Sequence, residues 1–203
     1  MRLLALTVLC LTAPPSLRAQ SRWPADQFAH QLVPGRPAPA PSCRAVTPVL
    51  AGDSLGPLHP GMSLSQLLRA CPHVYLGWHF EEGIAEPAAA VRLGKVLALA
   101  ILEDTSGIKA RIYRIMTADT SAKTPDGIGP GSLVHQMIAA WGRPKLGAAE
   151  CALYSSWPAH PHLSWILEFP RAWDCSRLEA FVVDSAPEHL PRDLRAGIVI
   201  LGK

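Results

Sequence analysis

The chain lacks most of the residue patterns that identify enzymes and nucleic-acid-binding proteins from sequence. Only 17% of its 203 residues are charged, and it contains no run of Lys and Arg. The sequence therefore predicts no positively charged patch that would bind a nucleic acid or an anionic lipid surface. The sequence also has no H-E-x-x-H zinc motif, no G-x-S-x-G nucleophile turn and no complete phosphate-binding loop. These absences argue against the commonest metalloprotease, serine hydrolase and nucleotide-binding classes, and nothing in the sequence predicts a cofactor.

Long apolar stretches are missing as well. A membrane-spanning helix needs about 20 apolar residues, and beyond the N-terminus no stretch approaches that length. The N-terminal run Leu3–Leu11 is shorter, follows Arg2, and leads to a small-residue end at Ala19. This arrangement is typical of a secretory signal peptide. We therefore predict a cleaved leader at residues 1–19 and an exported protein, periplasmic or secreted. Attachment of a lipid through Cys10 is an alternative that the sequence leaves open.

Cysteine use agrees with export. Of five cysteines, the predicted leader removes one, and the mature chain keeps four. An even number of cysteines in an exported chain predicts two disulfides, and none of the four lies in a C-x-x-C pair. We favour the pairs Cys43–Cys71 and Cys151–Cys175 because each closes a short loop within one half of the protein. The other two pairings stay open.

The mature chain divides into an N-terminal strap and one folded domain. Residues 20–48 are rich in proline, which removes backbone donors and favours an extended course. Apolar periodicity begins near Val49, so we place a single domain at residues 49–203. Removing Arg2 and Arg18 takes the 19 basic residues to 17, against 16 acidic residues. The mature chain is therefore close to neutral.

Two short segments of the domain resemble each other. The stretch from His59 to Pro72, HPGMSLSQLLRACP, matches PDGIGPGSLVHQMIAAWGRP from Pro125 to Pro144 when it is shifted by 70 residues. In both, apolar residues recur at positions i, i+3, i+4 and i+7, the spacing of one face of an amphipathic helix. The first copy also begins with an S-x-x-Q capping box at Ser63. Gly61 and Gly131 precede the two helices, where a positive φ is often needed.

Runs with β-strand character follow each of these segments. Alternating stretches, such as the one that contains Leu163, Trp165 and Leu167, are separated by Gly, Pro, Asp and Ser turn signals. We therefore predict an α+β fold of two tandem helix-plus-antiparallel-meander repeats, at about residues 49–120 and 121–203. The two repeats are expected to share one sheet, with the helices on one face.

One pattern resembles a known module. It consists of Gly, a small or polar residue and apolar residues, ends in Trp-Gly-x-Pro at Trp141 and is followed by a meander. The pattern is similar to the tandem modules of the β-lactamase-inhibitor-protein-like fold and of the small outer-membrane assembly lipoproteins of the SmpA/OmlA type. The string TPDGIGPGS…WG, from Thr124 to Gly142, is also similar to a motif of uncharacterised exported bacterial proteins. The resemblance implies a binding or scaffolding module rather than an enzyme.

Tryptophan is the most suggestive residue type for function. Five tryptophans fall in the predicted domain, and Trp, Tyr and Arg dominate the hot spots of protein interfaces. Trp165 alternates with Leu163 and Leu167, which favours the core. Trp157 and Trp173 stand beside Pro or Asp residues and are better candidates for partial exposure. The candidate partner-binding side chains, on the free sheet face and its loops, are Arg111, Tyr113, Trp157, Trp165, Arg171 and Trp173.

Histidines and paired acids offer a catalytic alternative. His73 with His79, and His160 with His162, are the best local candidates, but neither pair has the helical spacing of a zinc protease site. We interpret them as polar loop residues, and the acid pair Glu81–Glu82 as a solvated loop tip, so no metal is predicted. The first-choice function is a non-catalytic module that binds another envelope or secreted protein, with its oligomeric state left open. The alternative is a small secreted hydrolase with a loop-borne His/acid site, with or without a metal.

Overall fold

The structure is a computed structural model that describes residues 30–32, 43, 47–81, 83–103, 107–149, 151–168 and 190–202. Strands dominate these residues. In chain order the elements are β1 (His30–Leu32), β2 (Leu50–Ala51), β3 (Ser54–Leu55), α1 (Leu64–Ala70), β4 (Tyr75–Glu81), β5 (Ile84–Leu93), β6 (Val96–Leu102), β7 (Ile112–Thr117), α2 (Val134–Trp141), β8 (Lys145–Ala149), β9 (Ala152–Trp157), β10 (His160–Glu168) and β11 (Arg195–Gly202). A single 3₁₀ turn at Gly107–Lys109 lies between β6 and β7.

Nine of these strands form one sheet, in the order β1-β4-β5-β6-β7-β11-β10-β9-β8, and β2 and β3 form a separate two-stranded sheet. Neighbouring strands of the large sheet are antiparallel, except that β1 lies parallel to β4 at the edge. The strands β4 to β7 are neighbours in sequence order, and β11 to β8 follow in reverse order. The pairing of β7 with β11, in which Thr117 lies opposite Val199, joins these two groups into one sheet.

The prediction of an α+β fold is wrong. The described part of the chain is mostly β, with an eight-stranded antiparallel sheet, one parallel edge strand and the small two-stranded sheet. The helices α1 and α2 have only seven and eight residues, and neither is long and apolar enough to cross a membrane. The structure is therefore not two helix-plus-meander repeats sharing one sheet. The sequence match reflects two short helix starts, and one short apolar face does not determine what the rest of a domain is built from.

The local predictions at the helix starts are confirmed. The N–H of Ser63 donates to the side-chain oxygen of Gln66 at 2.8 Å, and the N–H of Gln66 donates to the Ser63 hydroxyl at 3.2 Å. Gly61 and Gly131 have φ angles of 86° and 82°. Each of these two glycines donates its N–H to a backbone carbonyl, Gly61 to β7 and Gly131 to β11, at 2.6 Å in both cases. The turns before both helices are thus fixed to the central strands.

One face of the sheet carries the main core. Along β10 the side chains of Leu163, Trp165 and Leu167 are buried, as their alternation predicts. They belong to the same buried cluster as Leu67 of α1 and Met137 of α2, so both helices cover this face. Full burial of one large apolar side chain contributes about 1.5–3 kcal/mol. This layer is therefore a major source of stability.

The opposite face is apolar over the middle strands as well. Ala88 of β5, Leu99 and Ile101 of β6, and Met116 of β7 form a second buried cluster. The middle strands are thus buried on both faces. This double burial explains why β6, Val96–Leu102, reads as a continuous apolar run instead of an alternating one.

The predicted disulfide Cys43–Cys71 is confirmed. It ties the N-terminal segment to the residue that ends α1, and the N–H of Cys43 also donates to the carbonyl of Arg92 on β5. Of the predicted strap, the residues His30–Leu32 form β1. The predicted leader lies outside the described residues. A disulfide of this kind fits an exported protein.

The second predicted pairing, Cys151–Cys175, stays a prediction. Cys151 is disulfide-bonded and lies in the turn between β8 and β9, with a φ of 61°. Cys175 lies outside the described residues.

Removing the Cys43–Cys71 disulfide should destabilise the fold. The two cysteines are 28 residues apart in sequence, and loop-closure entropy for a loop of this size corresponds to about 3–4 kcal/mol. We expect the Cys43→Ala/Cys71→Ala variant to lose about 3–4 kcal/mol of unfolding free energy in denaturant titrations. The single variant Cys43→Ala, which also lacks the bond, serves as the control and should lose a similar amount. A double variant as stable as the parent would contradict this role.

Candidate functional site

A cluster of polar side chains lies on the second face of the sheet, at the end of the β4–β5 hairpin. His79 and Glu81 are two residues apart on β4 and therefore point to the same face. Glu86 on β5 is the register partner of His79, so the hairpin brings the three side chains together. Tyr113 and Arg114 of β7 reach the same place. We call these five residues the polar cluster.

An irregularity in β7 allows two consecutive residues to join the polar cluster. Neighbours along a regular strand point to opposite faces. The register between β6 and β7 runs from Ile101 opposite Arg114 to Leu102 opposite Ile112. Tyr113 is therefore an extra residue on β7, a β-bulge, and it packs against the second buried cluster. Because of the bulge, Tyr113 and Arg114 both lie on the face that carries Glu86.

Arg114 connects the acidic residues of both hairpin strands. Its Nη2 donates to Glu86 Oε2 at 2.8 Å and also to Glu81 Oε2. The Tyr113 hydroxyl donates to the other oxygen of Glu86. The guanidinium carbon of Arg114 lies 5.6 Å from the centre of the Tyr113 ring. One cation therefore holds two carboxylates from neighbouring strands in fixed positions.

Two buried nitrogens of the polar cluster have no hydrogen-bond partner, and Arg114 Nε is one of them. The other is Nε2 of His79, a residue that is only 7% exposed. That nitrogen lies 3.8 Å from Glu81 Oε2, which is beyond hydrogen-bonding distance. Buried polar atoms in proteins are generally paired, so an unpaired one needs an explanation.

The environment keeps the two donors of the cluster protonated. Burial, with the hydrogen bond to Glu86, raises the pKa of Tyr113 to about 12. Burial by itself would lower the pKa of Arg114, but the hydrogen bond to Glu81 and the nearby carboxylate charges hold this pKa above its ordinary value. At neutral pH the cluster therefore contains a neutral phenol and a charged guanidinium, and both act as hydrogen-bond donors.

The polar cluster also contains a set of possible metal ligands. One ring nitrogen of His79 and one carboxylate oxygen each from Glu81 and Glu86 all lie within 4.8 Å of one another. Imidazole and carboxylate are both common ligands of zinc. Among the described residues, these three form the group of His, Cys, Asp or Glu side chains whose ligand atoms are close enough together to hold one metal ion.

The tryptophans proposed as partner-binding residues are core residues where the structure describes them. Trp157 and Trp165 are fully buried. Their rings lie 5.5 Å and 6.0 Å from that of Trp141, and Trp157 Nε1 donates to the carbonyl of Gly142 at 2.8 Å. The expectation that Trp157 is partly exposed is therefore wrong, because Trp141 of α2 and Trp157 of β9 pack against each other.

Two further candidates have structural contacts. Arg111 is exposed, and its Nη1 donates at 2.8 Å to the carbonyl of Gly61, in the turn before α1. Arg195 makes the corresponding contact with Gly131 at 2.9 Å. Tyr113 belongs to the polar cluster. Arg171 and Trp173 lie outside the described residues, so their proposed role in partner binding stays a prediction.

The structure separates the histidine pairs that the sequence suggested. His73 lies in an exposed turn before β4, whereas His79 is buried in the polar cluster. The ring of His160 packs 4.3 Å from that of Trp141. His162 lines a cavity of about 340 Å³, together with Asp53, Glu103 and Tyr113. The hydrolase alternative, with its loop-borne His/acid site, stays a prediction.

Sequence reasoning missed the grouping of His79, Glu81 and Glu86, although a signal for it exists. In HFEEGIAE the alternation of His79 and Glu81 places both on one strand face, and the turn at Gly83 returns the chain to Glu86. The sequence prediction of a solvated loop tip did not place Glu81 on the same strand as His79. Glu81 is the last residue of β4.

Comparison with known proteins gives a distant structural likeness and no match in sequence. No protein-family model and no curated protein matches the chain. Among solved structures, it is similar to the crystal structure of the uncharacterized protein YfeY from Escherichia coli. The two chains are 13% identical with a TM-score of 0.47, over 80% of this chain and 99% of that one. A likeness of this degree assigns no function and no family.

Tyr113 should titrate at an unusually high pH. Burial and the hydrogen bond to Glu86 disfavour its phenolate, so its pKa should be about 12 instead of 10. The difference between ultraviolet pH titrations of the parent and of Tyr113→Phe isolates this side chain. The unfolded chain releases this proton near pH 10, so the contribution of Tyr113 to stability is complete below pH 10 and is lost as the pH rises towards 12.

Glu86→Gln is the matched variant for this titration. It removes the charge and the carboxylate acceptor, and should lower the pKa of Tyr113 towards its ordinary value. Burial, the largest cause of the shift, remains, so the return should be incomplete. A Tyr113 transition at the ordinary value in the folded parent would contradict the described cluster.

Proposed function

We propose that the chain is an exported, non-catalytic binding protein that engages another envelope or secreted protein through the end of the β4–β5 hairpin. One observation carries this proposal. Of the described residues, four large apolar side chains are exposed, and three of them lie on this hairpin: Tyr75 (44%), Phe80 (50%) and Ile84 (62%). Exposed apolar side chains gathered on one element are typical of an interaction site.

The two apolar residues nearest the turn lie on opposite faces of the hairpin. Phe80 continues the alternation of Leu76 and Trp78, which pack against the main core. Ile84 is the register partner of Glu81, so it lies on the face of the polar cluster. A hairpin with an apolar group on each face is suited to enter a groove, where both faces are covered.

The polar cluster gives this hairpin end a fixed shape. Arg114 binds Glu81 from the first strand and Glu86 from the second. Both contacts lie within a few residues of Phe80 and Ile84. A binding element that is already ordered loses less conformational entropy when it binds. The ion pairs therefore support binding by Phe80 and Ile84 by holding the hairpin end in one conformation.

The charges beside the hairpin end indicate the chemistry of the partner. The side chains of Glu81 and Glu86 are 27% and 22% exposed, and Arg114 offsets one of their two charges. The remaining negative charge favours a partner with basic residues at the rim of its apolar groove. The resemblance of the sequence to binding and scaffolding modules points to the same class of function.

The test replaces the two apolar residues of the hairpin end. The mature oxidised chain, carrying a photo-reactive residue at the exposed position Ala85 opposite Phe80, is cross-linked in an envelope extract and in culture medium. We expect a cross-linked protein that is lost from the variant Phe80→Ser/Ile84→Ser. The matched control is Ile108→Ser, because Ile108 is also exposed and apolar but lies on the 3₁₀ turn. These surface substitutions should change the unfolding free energy by no more than about 0.5 kcal/mol.

Two results would count against this function. One is a cross-linked protein that the hairpin variant retains as well as the control does. The other is no cross-linked protein with the parent, although the parent is folded and the reagent reacts.

A further inference from the structure

We propose that His79, Glu81 and Glu86 form a binding site for a divalent transition-metal ion, with Zn²⁺ as the ion that fits the donors best. The proposal rests on the geometry of the polar cluster and is independent of the binding role of the hairpin end. It assigns to this chain a metal site built on two neighbouring strands.

The donor atoms are close to the spacing that zinc requires. Zinc bonds to nitrogen and oxygen ligands are about 2.0–2.2 Å long, so two ligands of a tetrahedral ion lie about 3.3 Å apart. The Nε2 of His79 is 3.8 Å from Glu81 Oε2, and the three ligand atoms lie within 4.8 Å of one another. Side-chain rotations that move each atom by less than about 1 Å would bring them to bonding distance.

The burial of His79 points to a ligand. Its side chain is more than nine-tenths buried, and Nε2 lies 3.8 Å from Glu81 Oε2 without donating or accepting a hydrogen bond. A buried polar atom without a partner costs free energy. A bond from Nε2 to a metal ion removes this cost, and the neutral imidazole is the form in which histidine binds metals.

Arg114 occupies the role of a competing cation. Its Nη2 contacts Glu81 and Glu86, so it supplies positive charge between the same two carboxylates that would bind the ion. Two carboxylates and one guanidinium leave a net charge of −1, which still attracts a divalent cation. When an ion binds, Arg114 gives up its contact with Glu81, while the Tyr113 hydroxyl can continue to orient Glu86 from the outer shell.

The site is accessible from solvent through its acidic ligands. The side chains of Glu81 and Glu86 are about one quarter exposed, whereas the side chain of His79 is buried beneath them. Three protein ligands leave one position of a tetrahedral zinc ion for water or for a side chain of another molecule. The cysteines Cys43, Cys71 and Cys151 are disulfide-bonded, so their thiolates do not compete for the ion.

The first test is a zinc titration of the oxidised, tag-free mature chain, in competition with a chromophoric chelator. We expect one ion per chain for the parent. His79→Gln and Glu86→Gln should each weaken binding by more than the roughly 10- to 100-fold that loss of an outer-shell partner costs. His73→Gln is the matched control, because His73 is exposed and outside the polar cluster, and it should bind as the parent does. Circular dichroism confirms that each variant is folded.

A second variant separates this site from adventitious surface binding. Arg114→Gln removes the competing cation, so zinc should bind it more tightly than the parent and raise its Tm by a larger amount. Adventitious zinc on surface histidines would not respond to Arg114. The proposal is overturned if the folded parent binds no zinc, if folded His79→Gln binds it as tightly as the parent, or if Arg114→Gln binds it more weakly.

Discussion

The structure depends on the pairing of β7 with β11. These are the only described strands that connect the group β4–β7 with the group β8–β11, and they also receive the turns that precede both helices. Gly61 hydrogen-bonds to Ile112 at the start of β7, and Gly131 to Ala196 in β11. The carbonyls of the same two glycines accept hydrogen bonds from arginine side chains, Gly61 from Arg111 and Gly131 from Arg195. A change in the β7–β11 register would therefore move both helices as well as the sheet.

The bulge in β7 has a second effect, because it decides which side chains meet at the β4–β5 hairpin. In a regular strand without the bulge, Tyr113 and Arg114 would lie on opposite faces. With it, both contact Glu86, and Glu86 holds its place beside His79 and Glu81. The same local irregularity thus places a phenol and a guanidinium against the acidic residues that the β4–β5 register brings together.

Features that depend on neighbours in sequence could be predicted, and features that depend on distant pairing could not. The capping box at Ser63, the positive φ of Gly61 and the burial of Trp165 follow from local spacing, and each is confirmed. The fold class was wrong because two helix starts were taken to represent whole repeats. The length of a helix and the share of residues in a sheet are determined by tertiary packing.

The polar cluster illustrates the same limit. His79 and Glu81 could be placed on one face from their spacing. The contribution of Arg114 required the register across two further strands, and that of Tyr113 required a bulge that no local signal in the sequence marks. The burial of Trp157 depended on its contact with Trp141, which lies on a different element. Contacts between side chains on different strands are therefore the hardest features to predict from the sequence.

The parallel pairing of β1 with β4 has a consequence for the order of folding. A parallel neighbour cannot be reached by a tight turn, and here the connection from Leu32 to Tyr75 spans more than forty residues. Closing so long a loop carries an entropic cost that rises with the logarithm of its length. The Cys43–Cys71 bond spans most of that connection, so in the oxidised chain the loop that must close before β1 pairs with β4 is much shorter. Formation of this disulfide therefore lowers the entropic cost of completing the sheet edge.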